Sequence, residues 1–263
     1  ACANCTVEIF SATDEEGYVY EGSTTANAGG DWAFNAGHAL AGPHLTATAT
    51  NADDDTSPFS QLFNLLVFDL NVPQDLDALN RLGFQYDLVD GAGFAAVDLN
   101  AYDVLFVGFT GNDPQPPDLL QPLLDRQADI AAFVQAGGGL VANSEDGVVA
   151  TPLDWLWVPV TVTHRNTGGE QQMLINLPDH LLVEGLTESD LNGWWPYHNT
   201  FTAWDWPAAE VVLTEPGSGE AIILAGDYGT GRMIFSGSDP DYHGGEGPER
   251  LLSNELTWAA GVL

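Results

Sequence analysis

Lysine is absent from this chain, and five arginines stand against 38 Asp and Glu, for a formal charge of -33 over 263 residues. So small a supply of cations leaves no basic patch to neutralise phosphate. Binding to nucleic acid or to an anionic membrane is therefore not expected. Long hydrophobic runs are missing as well. No stretch reaches the roughly 18 to 20 apolar residues of a membrane-spanning helix, so no membrane span is expected. Cysteine is nearly absent, with Cys2 and Cys5 the two examples. A lone Cys-x-x-Cys lacks the second pair that completes a four-ligand zinc site, which leaves a redox pair or a local disulfide. The expectation is a Cys2–Cys5 disulfide pinning the first strand, which implies an oxidising exterior.

What is present argues for folded structure. Hydrophobic residues make up 44% of the chain and aromatics 10%, too many for a disordered acidic tail. Carboxylates spread over an ordered surface suit a saline or calcium-containing medium, where screening shortens to about 3 Å at 1 M salt. A generic acidic secreted protein has the same composition. The chain begins without Met and without a signal peptide, as a processed mature chain would, and Asn4-Cys5-Thr6 formally matches a glycosylation sequon. The expected location is extracellular or at the cell surface.

Two composition regimes meet near residue 62, which predicts domains over 1–61 and 62–263. In the first, Gly, Ala, Thr and Asp turns separate short runs. Thr6-Val7-Glu8-Ile9-Phe10, Trp32-Ala33-Phe34 and His44 to Thr50 read as strands, the last with clear alternation. In the second, strands alternate with helices. Asn64 to Leu70 is a continuous apolar run of the kind buried on both faces of a sheet. Pro73 to Leu82 reads as a helix stopped by Gly83. Phe84 to Val89, Tyr102 to Gly108 and Leu140-Val141-Ala142 read as strands, and Leu119 to Ala136 as one long helix closed by three glycines. Further strands are predicted within Val158 to His164, Met173 to Leu177, Glu210 to Leu213, Ala221 to Ala225 and Met233 to Gly237, and a last helix from about Pro248 to Ala260. Strand–helix alternation predicts a doubly wound, flavodoxin-like α/β sheet.

The first segment, on Gly42 to Thr50 and Thr56-Ser57-Pro58-Phe59-Ser60, resembles the closing strands of bacterial immunoglobulin-like surface-protein repeats. The resemblance covers about residues 5–60 and implies an all-β sandwich whose leading strands are missing, because such a sandwich needs about seven. The second, from about 64 to 260, resembles the class I glutamine amidotransferase-like fold, especially its ThuA-like branch. Tyr102 to Gly108, Phe133 to Val141, Tyr228-Gly229-Thr230-Gly231-Arg232 and Leu251 to Leu256 carry that resemblance, and they are scaffold motifs. The catalytic positions depart from it. Ala142-Asn143-Ser144-Glu145-Asp146 stands where that family has a Gly-x-Cys-x-Gly elbow, so Ser144 takes the nucleophile's place without the flanking glycines. Asp239-Pro240-Asp241 replaces His-Pro-Glu. Glutamine amidotransfer is not expected.

Candidate site residues follow from chemistry. Ser144, His198 and His243, with Asp239 or Asp241, are the parts of a hydrolase if they converge at the carboxyl edge of the sheet. As the alternative, Ser144 and Asn143 cap the next segment and the histidines are ordinary loop residues. Asp239, Asp241, His243 and Glu246 lie in a Gly-rich loop rich in oxygen ligands, and the acidic turn Asp53-Asp54-Asp55 offers the same ligands in the first segment. Calcium is the one cofactor these suggest, and solvated turns are the plainer reading. Trp194, Trp195, Tyr197, His198, Trp204 and Trp206 form a candidate carbohydrate platform, a subunit interface or core filling. Asp154-Trp155-Leu156-Trp157 reads as core. Two functions are expected from this. One is a non-catalytic extracellular subunit that assembles with copies of itself, a neighbour's strand completing the unfinished sandwich. The other is a secreted ThuA-like hydrolase or carbohydrate-processing protein.

Overall fold

The computed structural model describes residues 2–12, 19–37, 40, 44–52, 56, 63–110, 118–143, 153, 155–170 and 172–262. The chain divides into two compact units, residues 1–62 and 63–261. In the first, β1 (Thr6–Ala12) lies between β2 (Val19–Thr25) and β3 (His44–Thr50), antiparallel to both. The alternation of β1 buries Val7 and Ile9, which with Ala26 make a small core against Phe34, Ala47 and Ala49. Cys2 and Cys5 are disulfide-bonded just ahead of β1. Trp32-Ala33-Phe34 is not a strand. Phe34 instead lays its ring over Gly22, where a Cβ would come within 2.8 Å of the ring and where φ is +143°. Only a glycine fits that crossing, which coincides with the register shift of β1 against β2.

The second unit is organised by β4 (Leu65–Phe68), α1 (Pro73–Leu82), β5 (Tyr86–Val89), α2 (Gly91–Phe94), β6 (Val104–Val107), α3 (Gln121–Asp125), α4 (Gln127–Gln135) and β7 (Gly139–Asn143). There follow β8 (Val162–Glu170), β9 (Leu174–Ile175), β10 (Tyr197–Trp204), β11 (Glu210–Thr214), β12 (Ala221–Tyr228), β13 (Gly231–Ser236) and α5 (Glu246–Ala259). Strands β4, β6 and β7 are buried along their whole length, as their unbroken apolar sequences require. Helix α1 starts on Pro73 and ends on Gly83 in the left-handed conformation, whose N–H closes onto Asn80 and Leu79. The expected helix over Leu119 to Ala136 is two pieces. Arg126 separates them, its guanidinium donating to the carbonyls of Phe94 and Val97.

This topology corrects the expected fold class in both parts. Among the described residues the N-terminal unit is a three-stranded antiparallel sheet, not an immunoglobulin-like sandwich. The larger unit is a ten-stranded mixed sheet in the order β5-β4-β6-β7-β13-β12-β10-β8, with β11 and β9 attached through β12, not a flavodoxin-like sheet. Strands β5, β4, β6, β7 and β13 run parallel, whereas β12, β10, β8, β11 and β9 join antiparallel. The reason lies in the reading of apolar runs. A fully buried strand looks the same in either direction, and the turn Tyr228-Gly229-Thr230-Gly231 makes β12 and β13 a hairpin.

Candidate active site

The carboxyl ends of four parallel strands converge on one cluster of acids. Helix α1 follows β4 and brings Asp75. Gly108 and Phe109 follow β6 directly, Asn143 ends β7, and Asp239 and Asp241 come just after β13. Helix α5 packs across β6, β7 and β13 and contributes Glu255. Such an edge is where ligands of α/β sheets bind. Asp75, Asn143, Asp239, Asp241 and Glu255 are all buried. Gly108 permits the approach of two of them, since a Cβ there would lie 2.6 Å from Oδ2 of both Asp75 and Asp241.

Hydrogen bonds hold the acids without neutralising them. The backbone N–H of Phe109 donates to Asp241 Oδ2 at 2.7 Å, and Asn143 Nδ2 donates to both Asp241 Oδ1 at 3.1 Å and Glu255 Oε2 at 3.2 Å. Burial drives the Asp75 carboxyl well above its usual range, helped by the charge of Asp241, a hydrogen bond shared with it, and the charge of Asp239. Burial likewise pushes Asp241 up to about 6, with Asp239 adding to the rise and the Phe109 N–H holding it back. Glu255 rises to about 8 through burial and the charge of Asp241. At neutral pH Glu255 therefore mostly keeps its proton while Asp241 is mostly ionised. Neighbouring acids with values pushed apart from the ordinary are a mark of acid–base sites. Asp75 Oδ1, Asn143 Oδ1, Asp239 Oδ1, Glu255 Oε1 and His198 Nδ1 are buried without hydrogen-bond partners among the described residues. Unsatisfied atoms at this density cost stability that a purely structural core would not spend.

Asp239 links the acids to two histidines. Its Oδ2 lies 3.2 Å from His198 Nε2 and 3.4 Å from His243 Nε2. The ring of His198 stacks on Phe109 at 5.3 Å and is sealed from solvent, whereas the His243 side chain is 23% exposed. Tyr242 and Trp194 stand against His243, with ring centroids 5.4 and 5.1 Å away. Arg81 steadies this loop, its Nε donating to Glu249 and its Nη2 reaching the His243 carbonyl.

The structure thus brings together Asp239, Asp241, His198 and His243 among the residues singled out in the sequence. Ser144, Asp53, Asp54, Asp55 and Asp154 lie outside the described residues. Glu246 is exposed in the first turn of α5, apart from the buried Asp239 and Asp241, and no group of three or more His, Cys, Asp and Glu side chains among the described residues is placed to hold a metal. The tryptophan-rich segment is split. Trp194 lies against His243, and Trp195 is exposed at φ +65° after Gly193 at +86°. Tyr197 is buried and bridged to Ser238. Trp204 packs against the main core, and Trp206 is buried with its Nε1 donating to Asp227 O. Trp155 and Trp157 are core residues. Asp75, Gly108, Asn143 and Glu255 are the members that sequence reading missed. One signal for them exists: Glu255 shares a helical face with Leu251 and Leu252, all three buried.

No protein-family model matches the chain, and no curated protein matches it. Solved structures do. The cytoplasmic protein STM3548 of Salmonella typhimurium is 17% identical, with a TM-score of 0.52 over 81% of this chain and 94% of that one. The cytoplasmic protein STM1381 of Salmonella typhimurium LT2 is 15% identical, with a TM-score of 0.46 over 76% of this chain and 97% of that one. A beta-galactosidase of Bacillus circulans sp. alkalophilus is 14% identical, with a TM-score of 0.47 over 75% of this chain and 31% of that one. At these identities the first likeness supports the fold alone.

Proposed function

We propose that residues 63–261 form a hydrolase of acid–base type, of the ThuA-like or carbohydrate-processing kind that the sequence resemblance implies. One observation carries this reading: Asp239 Oδ2 faces both His198 and His243, and His243 reaches solvent. With its Nε2 turned to Asp239, His243 keeps Nδ1 to exchange protons with water and substrate. In the step proposed, Nδ1 takes a proton from water as the water oxygen bonds to the scissile carbon. The bond to the leaving oxygen breaks with its electron pair, and the imidazolium returns the proton to that oxygen. Asp239 stabilises the transient imidazolium. The surrounding -33 charge disfavours anionic substrates, and the Trp194 indole against His243 offers an aromatic surface at the site, which favours a neutral carbohydrate. The test is turnover of a panel of neutral glycosides and sugar esters by the wild type, His243→Asn and Asp239→Asn. Loss in both variants, with folding intact, supports the proposal. Turnover indifferent to His243 sinks it.

A second reading has its own observation. β2 and β3 are the edges of the N-terminal sheet among the described residues, and β2 exposes Val19 and Tyr20. Pairing of such an edge with a strand from another copy would serve an extracellular, self-assembling subunit, and the Cys2–Cys5 disulfide suits that environment. Negative-stain microscopy of the whole chain and of a chain without residues 1–10 tests it. Fibres or sheets that dissolve on deletion support assembly, whereas discrete monomers at all concentrations refute it.

A further inference from the structure

A cavity of about 590 Å³ shares no residue with the acid–histidine site. It is lined by Gln127, Ala128 and Ala131 of α4, by the segment from Trp155 to Val162, and by Asp205 and Tyr228. Its size falls in the range of small-molecule sites. Its wall is braced. Gln127 Nε2 donates to the carbonyls of Leu156 at 2.9 Å and Val158 at 2.8 Å. Two carbonyl partners fix that amide's orientation, so both of its N–H groups are spent and Oε1 remains an acceptor. Trp155, in the lining, is held at φ +59°, a left-handed conformation that bulky residues rarely adopt.

Among the described residues that line it, Asp205 is the one charged side chain. Asp205 and Tyr228 make no side-chain hydrogen bond or ion pair among the described residues, and no arginine lines the cavity. Gln127 Oε1 and the exposed Asp205 carboxylate are acceptors, while Thr161 and Tyr228 add hydroxyls that can donate or accept. Leu156 and Pro159 supply apolar surface. A cavity whose one charged lining side chain among the described residues is a carboxylate, on a chain of charge -33, disfavours anions and suits a cationic ligand with an apolar body.

We infer that this cavity binds a small organic ammonium ion, its amine on Asp205 and Gln127 and its apolar body against Leu156 and Pro159. Benzylamine is the probe, with benzyl alcohol as its uncharged counterpart. Binding is followed by calorimetry and tryptophan fluorescence on the full chain at physiological ionic strength. Asp205→Asn is compared with Asp77→Asn, which removes an exposed acid from α1. The expected result is saturable one-site binding of benzylamine, weakened about tenfold or more in Asp205→Asn and unchanged in Asp77→Asn, with benzyl alcohol far weaker. Absence of binding would overturn the inference. So would equal weakening by both variants, which marks diffuse charge attraction, or equal binding of benzyl alcohol, which marks a site that reads only the apolar body.

Discussion

Asp75 and Asp241, on α1 and in the loop after β13, close on the same glycine: each places Oδ2 2.6 Å from where a Cβ on Gly108 would stand. The two acids sit side by side because burial drives Asp75 toward its protonated form, in which it shares a hydrogen bond with Asp241. Gly108→Ala should therefore destabilise the chain by about 1–3 kcal/mol, the range for overpacking. It should also spread the two acids and weaken the pH dependence described next. Urea unfolding at two pH values reads both effects, and a neutral substitution would show that the pair has slack.

Stability should fall as pH rises through the neutral range. A carboxyl whose pKa is raised by folding holds its proton more tightly in the native chain than in the unfolded one. Between about pH 4 and the raised value the native state thus binds more protons, and its advantage is lost as pH climbs. That window closes at about 6 for Asp241 and about 8 for Glu255. The slope approaches about 1.4 kcal/mol per pH unit for each titrating group. Glu255→Gln should flatten the upper part of the curve. Denaturation series from about pH 5 to about 9 measure this, and a profile that rises with pH would contradict it.

Arg81 joins α1 to α5 through Glu249 and touches the His243 carbonyl, but the pair is partly exposed. Its contribution to stability should be below about 1 kcal/mol. Its effect on turnover should be larger, because it positions the loop that carries His243. Arg81→Ala is expected to lower kcat several-fold with a Tm close to wild type. An equal fall in both would assign Arg81 a merely structural role.

Reduction of Cys2–Cys5 should weaken the N-terminal unit selectively. A loop this short constrains the unfolded chain by about 2 kcal/mol. Hydrogen exchange with and without reductant should show faster exchange in β1 and β2 and none in β4, β6 or β7. Uniform acceleration across both units would argue against that local effect.

Much of the architecture was legible because burial leaves a direct imprint on residue choice. β4, β6 and β7 were read from unbroken apolar runs, and α1 from its proline start and glycine stop. β2 was missed because Gly22 interrupts its alternation, although Val19, Tyr20, Thr24 and Thr25 are strand formers. Trp32 to Phe34 was misread because an aromatic packing over a glycine has the same composition as a strand. In the site, Asp239, Asp241 and the histidines were visible as chemistry. Asp75 sits in the first turn of α1, where the helix dipole favours an acid anyway, so its sequence context carries no sign of a site.

The sequence by itself determined which segments are buried, where the two units divide in composition, and that cations would be too few to balance the acids. The tertiary structure decided strand direction, the corrected fold class and the meeting of Asp75, Asn143, Asp239, Asp241, Glu255 and two histidines at one sheet edge. The reason is physical: burial is a property of each residue and its near neighbours, whereas a site is made by distances between residues far apart in the chain. Nothing in Asp75 announces Asp241; only the sheet that sets β4, β6, β7 and β13 side by side brings their ends together.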